Sequence, residues 1–140
     1  MNLSMQATGI KELQRDIMRA GAIPTKTLKK MVSRQGKVVK KAIVNNARSM
    51  LQGPYYKGDV ARSVRQKRAG VSKKRGAYCY IKFEGSSHGN RNGEIAFVNE
   101  YGTKKQKGRP FIKEAQKNSA DEAAKAAGAV FYEHMRQRRL

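Results

Sequence analysis

AFVNEYGTKKQKGRPFIKEA, Ala96 to Ala115, is the stretch on which the reading of this chain turns. A short apolar run (Phe97, Val98, Tyr101) leads into a glycine turn at Gly102-Thr103. A basic loop follows, Lys104 to Arg109, and Pro110-Phe111-Ile112 then opens the last helix. Gly102 suits a backbone position with positive φ, which a residue carrying a Cβ resists. Pro110 fixes φ where the chain returns to order and disfavours helix at Arg109. A loop with apolar anchors at both ends and charge along its length is a presented loop, since a plain linker is polar throughout. Phe97, Tyr101, Pro110 and Phe111 are expected to brace the Gly102 turn. Glu100, the one acid beside that turn, is expected to hold the loop by a salt bridge or hydrogen bond.

Working outward, the closing helix is expected from about Ile112 to Arg138. Ala115, Ala120, Ala123, Ala124, Ala127, Phe131 and Met135 form a mostly small-residue stripe that lets another element approach closely. Upstream, Tyr78 to Glu84 (YCYIKFE) alternates, with Cys79, Ile81 and Phe83 on one face and Tyr80, Lys82 and Glu84 on the other. That is a half-buried strand, with Cys79 a small core residue. The segment Gly85 to Gly93 reads as a flexible connection between strands. Ala69 to Gly76 reads as a mobile loop carrying Lys73, Lys74 and Arg75, and Val64 to Arg68 as a strand opening into it.

The strongest pattern lies from Thr27 to about Leu51. Leu28, Met31, Val32, Val38, Val39, Ala42, Ile43, Ala47, Met50 and Leu51 recur at helical spacing. Lys29, Lys30, Arg34, Lys37, Lys40, Lys41 and Arg48 occupy the opposite face, with no acid in the segment. A charged helix face is ordinarily solvated, and that is the expectation; the missing acids leave a polyanion-facing role open. Gly53-Pro54 ends this helix, and Gly58-Asp59 offers a turn with Asp59 as N-cap of a single helical turn. A short first helix is expected from Gly9 to about Arg19, with Ile10, Leu13, Ile17 and Met18 on one face.

The 140 residues fit one domain with a real core. Thirty-one Lys and Arg against ten Asp and Glu give a net charge of +21, which calls for a polyanionic or acidic partner. No secretory signal or membrane span is visible in the sequence. The single Cys79 excludes an internal disulfide and fits a reducing compartment. His88 and His134 have no metal-ligand spacing to each other or to Cys79 and read as plain surface residues. No catalytic constellation, metal site or cofactor is expected. Tyr78 and Tyr80 could stack bases, but tyrosine is common on strand faces and that reading prevails. The basic segments supply the candidate contacts to an acidic partner or DNA: Arg65, Lys67, Arg68, Lys73, Lys74, Arg75, Lys104, Lys105 and Lys107.

AFVNEYGT followed by GRPFIKEA resembles the pattern A-x-F-V-E-x-G-T … R-P-F-x-x-x-A of the tail-completion, or head–tail joining, family of long-tailed bacteriophages, also described as minor tail components. Gly9 to Leu13 resembles that family's G-L-K-E-L. The long basic helix takes the place of its second helix. Pro54, Gly58, Val60, Ser63 and Val64 match P-x-D-T-G-x-L-x-x-S-I. Tyr56-Lys57 depart from the usual Asp-Thr, and Asn99 spreads the V-E pair to Val98 and Glu100. The resemblance implies an α+β fold, a long helix packed on a small antiparallel sheet with the C-terminal helix alongside. It makes Phe97, Val98, Glu100, Tyr101, Gly102, Thr103, Arg109, Pro110 and Phe111 the candidate interface loop. It also implies a structural role in the virion neck or tail end, as a sixfold or twelvefold ring. The ring would contact connector, tail-terminator or tail-tube proteins, with possible contact to packaged DNA, and assemble in the host cytoplasm. The alternative is a basic nucleic-acid-binding protein.

Overall fold

The computed structural model describes residues 23–51, 58–74, 76–87 and 89–138. The expected first helix, the Pro54–Lys57 part of the motif, Arg75 and His88 lie outside the described residues. The fold is α+β, as expected from the sequence: one long helix, a long C-terminal helix and small antiparallel sheets of two strands each. Among the described residues no helix is long and apolar enough to cross a membrane.

Helix α1 runs Thr25–Met50 and buries Met31, Gly36, Val39, Ile43 and Ala47 on one stripe. The short helix α2, Asp59–Ser63, follows, with Gly58 at its N-cap in the left-handed region and Asp59 in its first turn. Next comes a two-stranded antiparallel ribbon. Its first part pairs β1, Val64–Gln66, with β4, Ile81–Phe83. Its second part pairs β2, Gly70–Ser72, with β3, Gly76–Tyr78. The register steps by one residue between the two parts, and the Lys67 N–H bonds the Tyr80 carbonyl at the join. An extra residue on one strand is a bulge, and it bends the ribbon. The expected mobile loop Ala69–Gly76 is therefore a hairpin, and the strand expected over Tyr78–Glu84 is interrupted at Cys79-Tyr80. The alternation itself holds, for Cys79 and Ile81 are buried while Lys82 and Glu84 are exposed.

The ribbon lies on α1 at Gly36. A Cβ there would sit 2.7 Å from Gln66 Nε2 and 3.0 Å from Cys79 Sγ. Gln66 Nε2 donates to the Ser33 carbonyl at 2.7 Å, and the Cys79 thiol donates to the Lys67 carbonyl at 3.2 Å. A glycine in mid-helix costs about 1 kcal/mol relative to alanine; here it lets the ribbon approach closely.

The segment Gly85 to Gly93 departs from the expectation of a connection between strands. It holds a small hairpin, β5 (Ser86–Ser87) with β6 (Asn90–Arg91), and then starts helix α3, Asn92–Tyr101. Buried Asn92 fixes that start by donating to the Glu84 carbonyl and accepting from the Ser87 hydroxyl. So the apolar run Phe97, Val98, Tyr101 is helical.

Helix α4, Phe111–Arg138, packs antiparallel to α1, since Asn46 bonds the Phe111 carbonyl at one end and Thr27 meets His134 at the other. His134 is thus half-buried between helices and not a plain surface histidine. The α4 stripe is Phe111, Ala115, Ser119, Ala123, Ala127 and Phe131, a strict spacing of four, with large rings at the ends and small residues between. Small residues let the two helices close together along their length. The core gathers Val39, Ile43 and Leu51 of α1 and its end with Val60, Val64, Ile81, Ala96, Phe111 and Ile112. Phe111 is fully buried and meets Phe83 edge-on at 6.1 Å. Phe111→Ala is expected to lower stability by about 3–5 kcal/mol, read from urea denaturation; a loss below about 1 kcal/mol would remove this ring from the centre of the core.

Candidate functional site

Two regions gather the candidate residues. The first is the joint between α3 and α4. Helix α4 opens on Pro110, which has no N–H, so the donors needing partners begin at Phe111. The Phe111 N–H bonds the Arg109 carbonyl, and the Glu114 N–H bonds the Pro110 carbonyl. The two between, Ile112 and Lys113, donate to Oε2 and Oε1 of Glu100 at 2.8 and 3.0 Å. Glu100 is buried, and its charge lies against the positive end of the helix dipole. The acid expected to hold the loop is thus a helix cap delivered from eleven positions upstream of the helix start.

Arg109 ties the other side. Its N–H bonds the Asn99 carbonyl at 2.6 Å, and its guanidinium donates to Asn99 Oδ1 at 2.9 Å and to the Met50 carbonyl at 3.3 Å. It so covers an open carbonyl at the C-terminus of α1. Gly102 closes α3 at φ 79° and ψ −178°, a combination open in practice to glycine alone. A Cβ there would lie 2.5 Å from the Gly108 backbone nitrogen. Gly108 in turn lies against the Glu100 and Tyr101 carbonyls, so the two glycines let the loop's ends cross. Thr103 and Gln106 exchange backbone hydrogen bonds at 2.8 and 3.3 Å, which projects Lys104 and Lys105 into solvent; Lys107 is exposed too.

The expected brace divides. Phe111 is buried and Pro110 half-buried, whereas Phe97 and Tyr101 are 54% and 66% exposed. Helix α3 buries Asn92, Ala96 and Glu100 instead, and turns its rings outward. Phe97 and Tyr101, one helical turn apart, pack against each other with ring centroids 4.8 Å apart and planes tilted by 49°. With Phe83, Val98 and the edges of Gly85, Arg91, Gly93 and Glu94 they line an open apolar groove of about 750 Å³.

The second region is basic. Lys29, Lys30, Arg34, Lys37 and Lys40 of α1 face Lys67 and Arg68 of the ribbon across an open groove of about 810 Å³, completed by Ser33, Gln66 and Ala69. No carboxylate lines it. Among the described residues, Glu84 is the acid that pairs with one of these cations, Lys67. The ribbon's placement at Gly36 builds the second wall. The helix face expected to be merely solvated is one side of a charged cleft; its sequence signal was seven cations with no acid, but the opposing wall depends on tertiary packing.

The structure does not bring all the expected basic contacts together. Lys67 and Arg68 join the groove. Lys73 and Lys74 sit exposed at the hairpin turn, and Lys104, Lys105 and Lys107 on the α3–α4 loop. Arg65 spends its guanidinium on the Arg62 and Val64 carbonyls at 2.7 and 2.9 Å. Tyr78 and Tyr80 pack on each other at 5.1 Å, with Tyr78 also covering Gly70 and Lys82 over the Tyr80 ring. Among the described residues no three of His, Cys, Asp and Glu form a group able to hold a metal ion.

No protein-family model matches the chain, and no curated protein or solved structure does.

Glu100→Ala leaves the buried Ile112 N–H and the part-buried Lys113 N–H without their carboxylate, and about 2–4 kcal/mol of stability is expected to go with it. Gly102→Ala is expected to be at least as damaging, through both φ and the Gly108 contact. Phe97→Ser and Tyr101→Ser, by contrast, are expected to shift stability by no more than about 1 kcal/mol. Thermal melts of the four variants check the ranking, and equal losses from Phe97→Ser and Glu100→Ala would restore the brace.

Proposed function

We propose that this chain is a structural virion protein of a tailed bacteriophage, a ring subunit at the head–tail interface or tail end that helps join tail to capsid. The motif resemblance supplies the family. The observation that carries the reading further is the outward-facing pair Phe97 and Tyr101 beside Phe83 and Val98, on the helix that leads into the motif loop. Exposed aromatics gathered in a groove with a polar edge suit a protein–protein contact. The residues shared with the family pattern, Glu100, Gly102, Arg109, Pro110 and Phe111, hold that helix rigidly against α1 and α4. A subunit of an assembly needs such a fixed frame behind its contact surface.

The net charge of +21 sets the order of events. Copies of a chain this basic repel one another in free solution. A ring requires heterologous contacts that close by rotation. The free protein is therefore a monomer or weak oligomer, and the ring closes on its neighbours in the particle. Sedimentation of the purified protein beside imaging of assembled particles tests this directly. A single copy per particle overturns the ring, and a stable free ring at physiological salt overturns the charge argument. Phe97→Ser with Tyr101→Ser is expected to leave a folded protein that no longer enters particles; full incorporation would remove the aromatic groove from the contact. Absence of the unaltered protein from particles would favour the alternative, a nucleic-acid-binding protein without a structural role.

A further inference from the structure

We propose that the groove between α1 and the ribbon binds the phosphate backbone of a nucleic-acid duplex without reading its sequence. Three features of the groove select this occupant. Its lining is almost wholly charged or polar, with Ala69 its one apolar residue. A protein partner draws most of its affinity from a few buried apolar or aromatic anchors, and this groove offers none of those pockets. Phosphate binding needs no such anchor, because released counterions drive it.

The second feature is the absence of rings from the lining. Single strands are held largely by stacking their bases on aromatic side chains. The two tyrosines of the ribbon are engaged with each other, with Gly70 and beside Lys82, and they do not line the groove. What remains is a backbone site, which a duplex presents without exposing its bases.

The third feature is length. Lys29 to Lys40 spans roughly 16 Å of helix at 1.5 Å per residue. One strand of a duplex carries a phosphate about every 3.4 Å of axis, so about five phosphates face that span. The helix wall offers Lys29, Lys30, Arg34, Lys37 and Lys40, and Arg68 stands opposite. The basic turns at Lys73-Lys74 and Lys104-Lys105 lie outside this lining. Duplex binding by the free protein neither requires nor reports a ring.

The test uses the purified full chain and a 30-base-pair DNA duplex of arbitrary sequence, by fluorescence anisotropy at several salt concentrations. Neutralising about five phosphates gives a log–log salt slope of about −4.5, or a roughly 500-fold loss of affinity between 50 and 200 mM salt. Replacing Lys30, Arg34 and Lys37 by Gln is expected to flatten that slope by about 3 units. Replacing Lys104, Lys105 and Lys107 by Gln removes the same charge and is expected to move it by less than about 1. Equal changes in the two variants would reduce the binding to net charge and overturn the site. The three groove positions are solvent-facing helix sites where Gln is well tolerated, and circular dichroism checks their fold. Acetylation footprinting of the unaltered protein is a separate measurement: bound duplex is expected to protect Lys29, Lys30, Lys37 and Lys40 but not Lys104, Lys105 or Lys107. Uniform protection overturns the proposal, as does tighter binding of the single strand, or of poly-glutamate, than of the duplex.

Discussion

The carboxylate of Glu100 across the start of α4 is the interaction on which the rest of this fold depends. It is a buried charge in a chain dominated by the opposite sign, yet its partners are two backbone N–H groups and a helix dipole. A carboxylate in that setting is held by fixed donors that move with the helix, whereas a lysine partner would bring a flexible stem and its own desolvation cost. Every first-turn donor of α4 is thereby satisfied without a serine, threonine or aspartate at the helix start. Arg109 performs the mirror task at the end of α1 by donating to the Met50 carbonyl. An acid at one helix's N-terminus and a base at another's C-terminus therefore come from the two ends of one short loop, Glu100 from the last turn of α3 and Arg109 from just before α4. Gly102 and Gly108 let the loop's backbone cross close enough to deliver both.

With the two termini locked, the helix pair can rest on small contacts. The middle of α4 offers Ala115, Ser119, Ala123 and Ala127, each contributing little buried area alone. Close approach recovers dispersion contacts over the whole length. The larger rings sit where the stripe ends, Phe111 against Phe83 and Phe131 beside Met31. A similar economy of side chain appears at Gly36, where the ribbon needs α1 to be bare. One consequence reaches the surface, because the bulged ribbon, seated at that glycine, carries Lys67 and Arg68 opposite the basic side of α1.

Much of this is legible in the sequence alone. The apolar spacing over Thr27–Leu51, the alternation around Ile81 and the start of the last helix at Pro110-Phe111 are local signals, set by the period of each element. Helix α3 was not legible, and the reason is physical. Its buried face is Asn92, Ala96 and Glu100, two polar groups committed to distant backbone and one methyl. Its two rings point to solvent, so hydrophobic periodicity assigns Phe97 and Tyr101 to the wrong side. The position of Glu100 beside the turn marked it as the acid that holds the loop, and Gly102 as the turn residue, but the cap spans two helices and no local pattern announces it. The basic groove failed to appear for a similar reason, since one wall is a helix face and the other a ribbon placed by tertiary packing.

The proposed self-assembly has to be reconciled with a net charge of +21. Screening at physiological salt confines exposed charges to a reach of about 8 Å. Repulsion between copies is then decided by what surrounds the contact. The aromatic groove has Arg91 and Glu94 on its lining, one of each sign, whereas the α1 groove is lined by cations and by no carboxylate. Contact through the aromatic groove is locally tolerable, and the cost arises where basic faces of neighbouring copies converge. A duplex lying in the α1 groove would discharge that face. Because binding free energies are reciprocal, whatever duplex occupancy adds to the association of copies, association must add to the affinity for duplex. The proposed joining role and the proposed groove would then be linked by charge alone, with no conformational change required of a frame that Glu100 and Arg109 hold fixed.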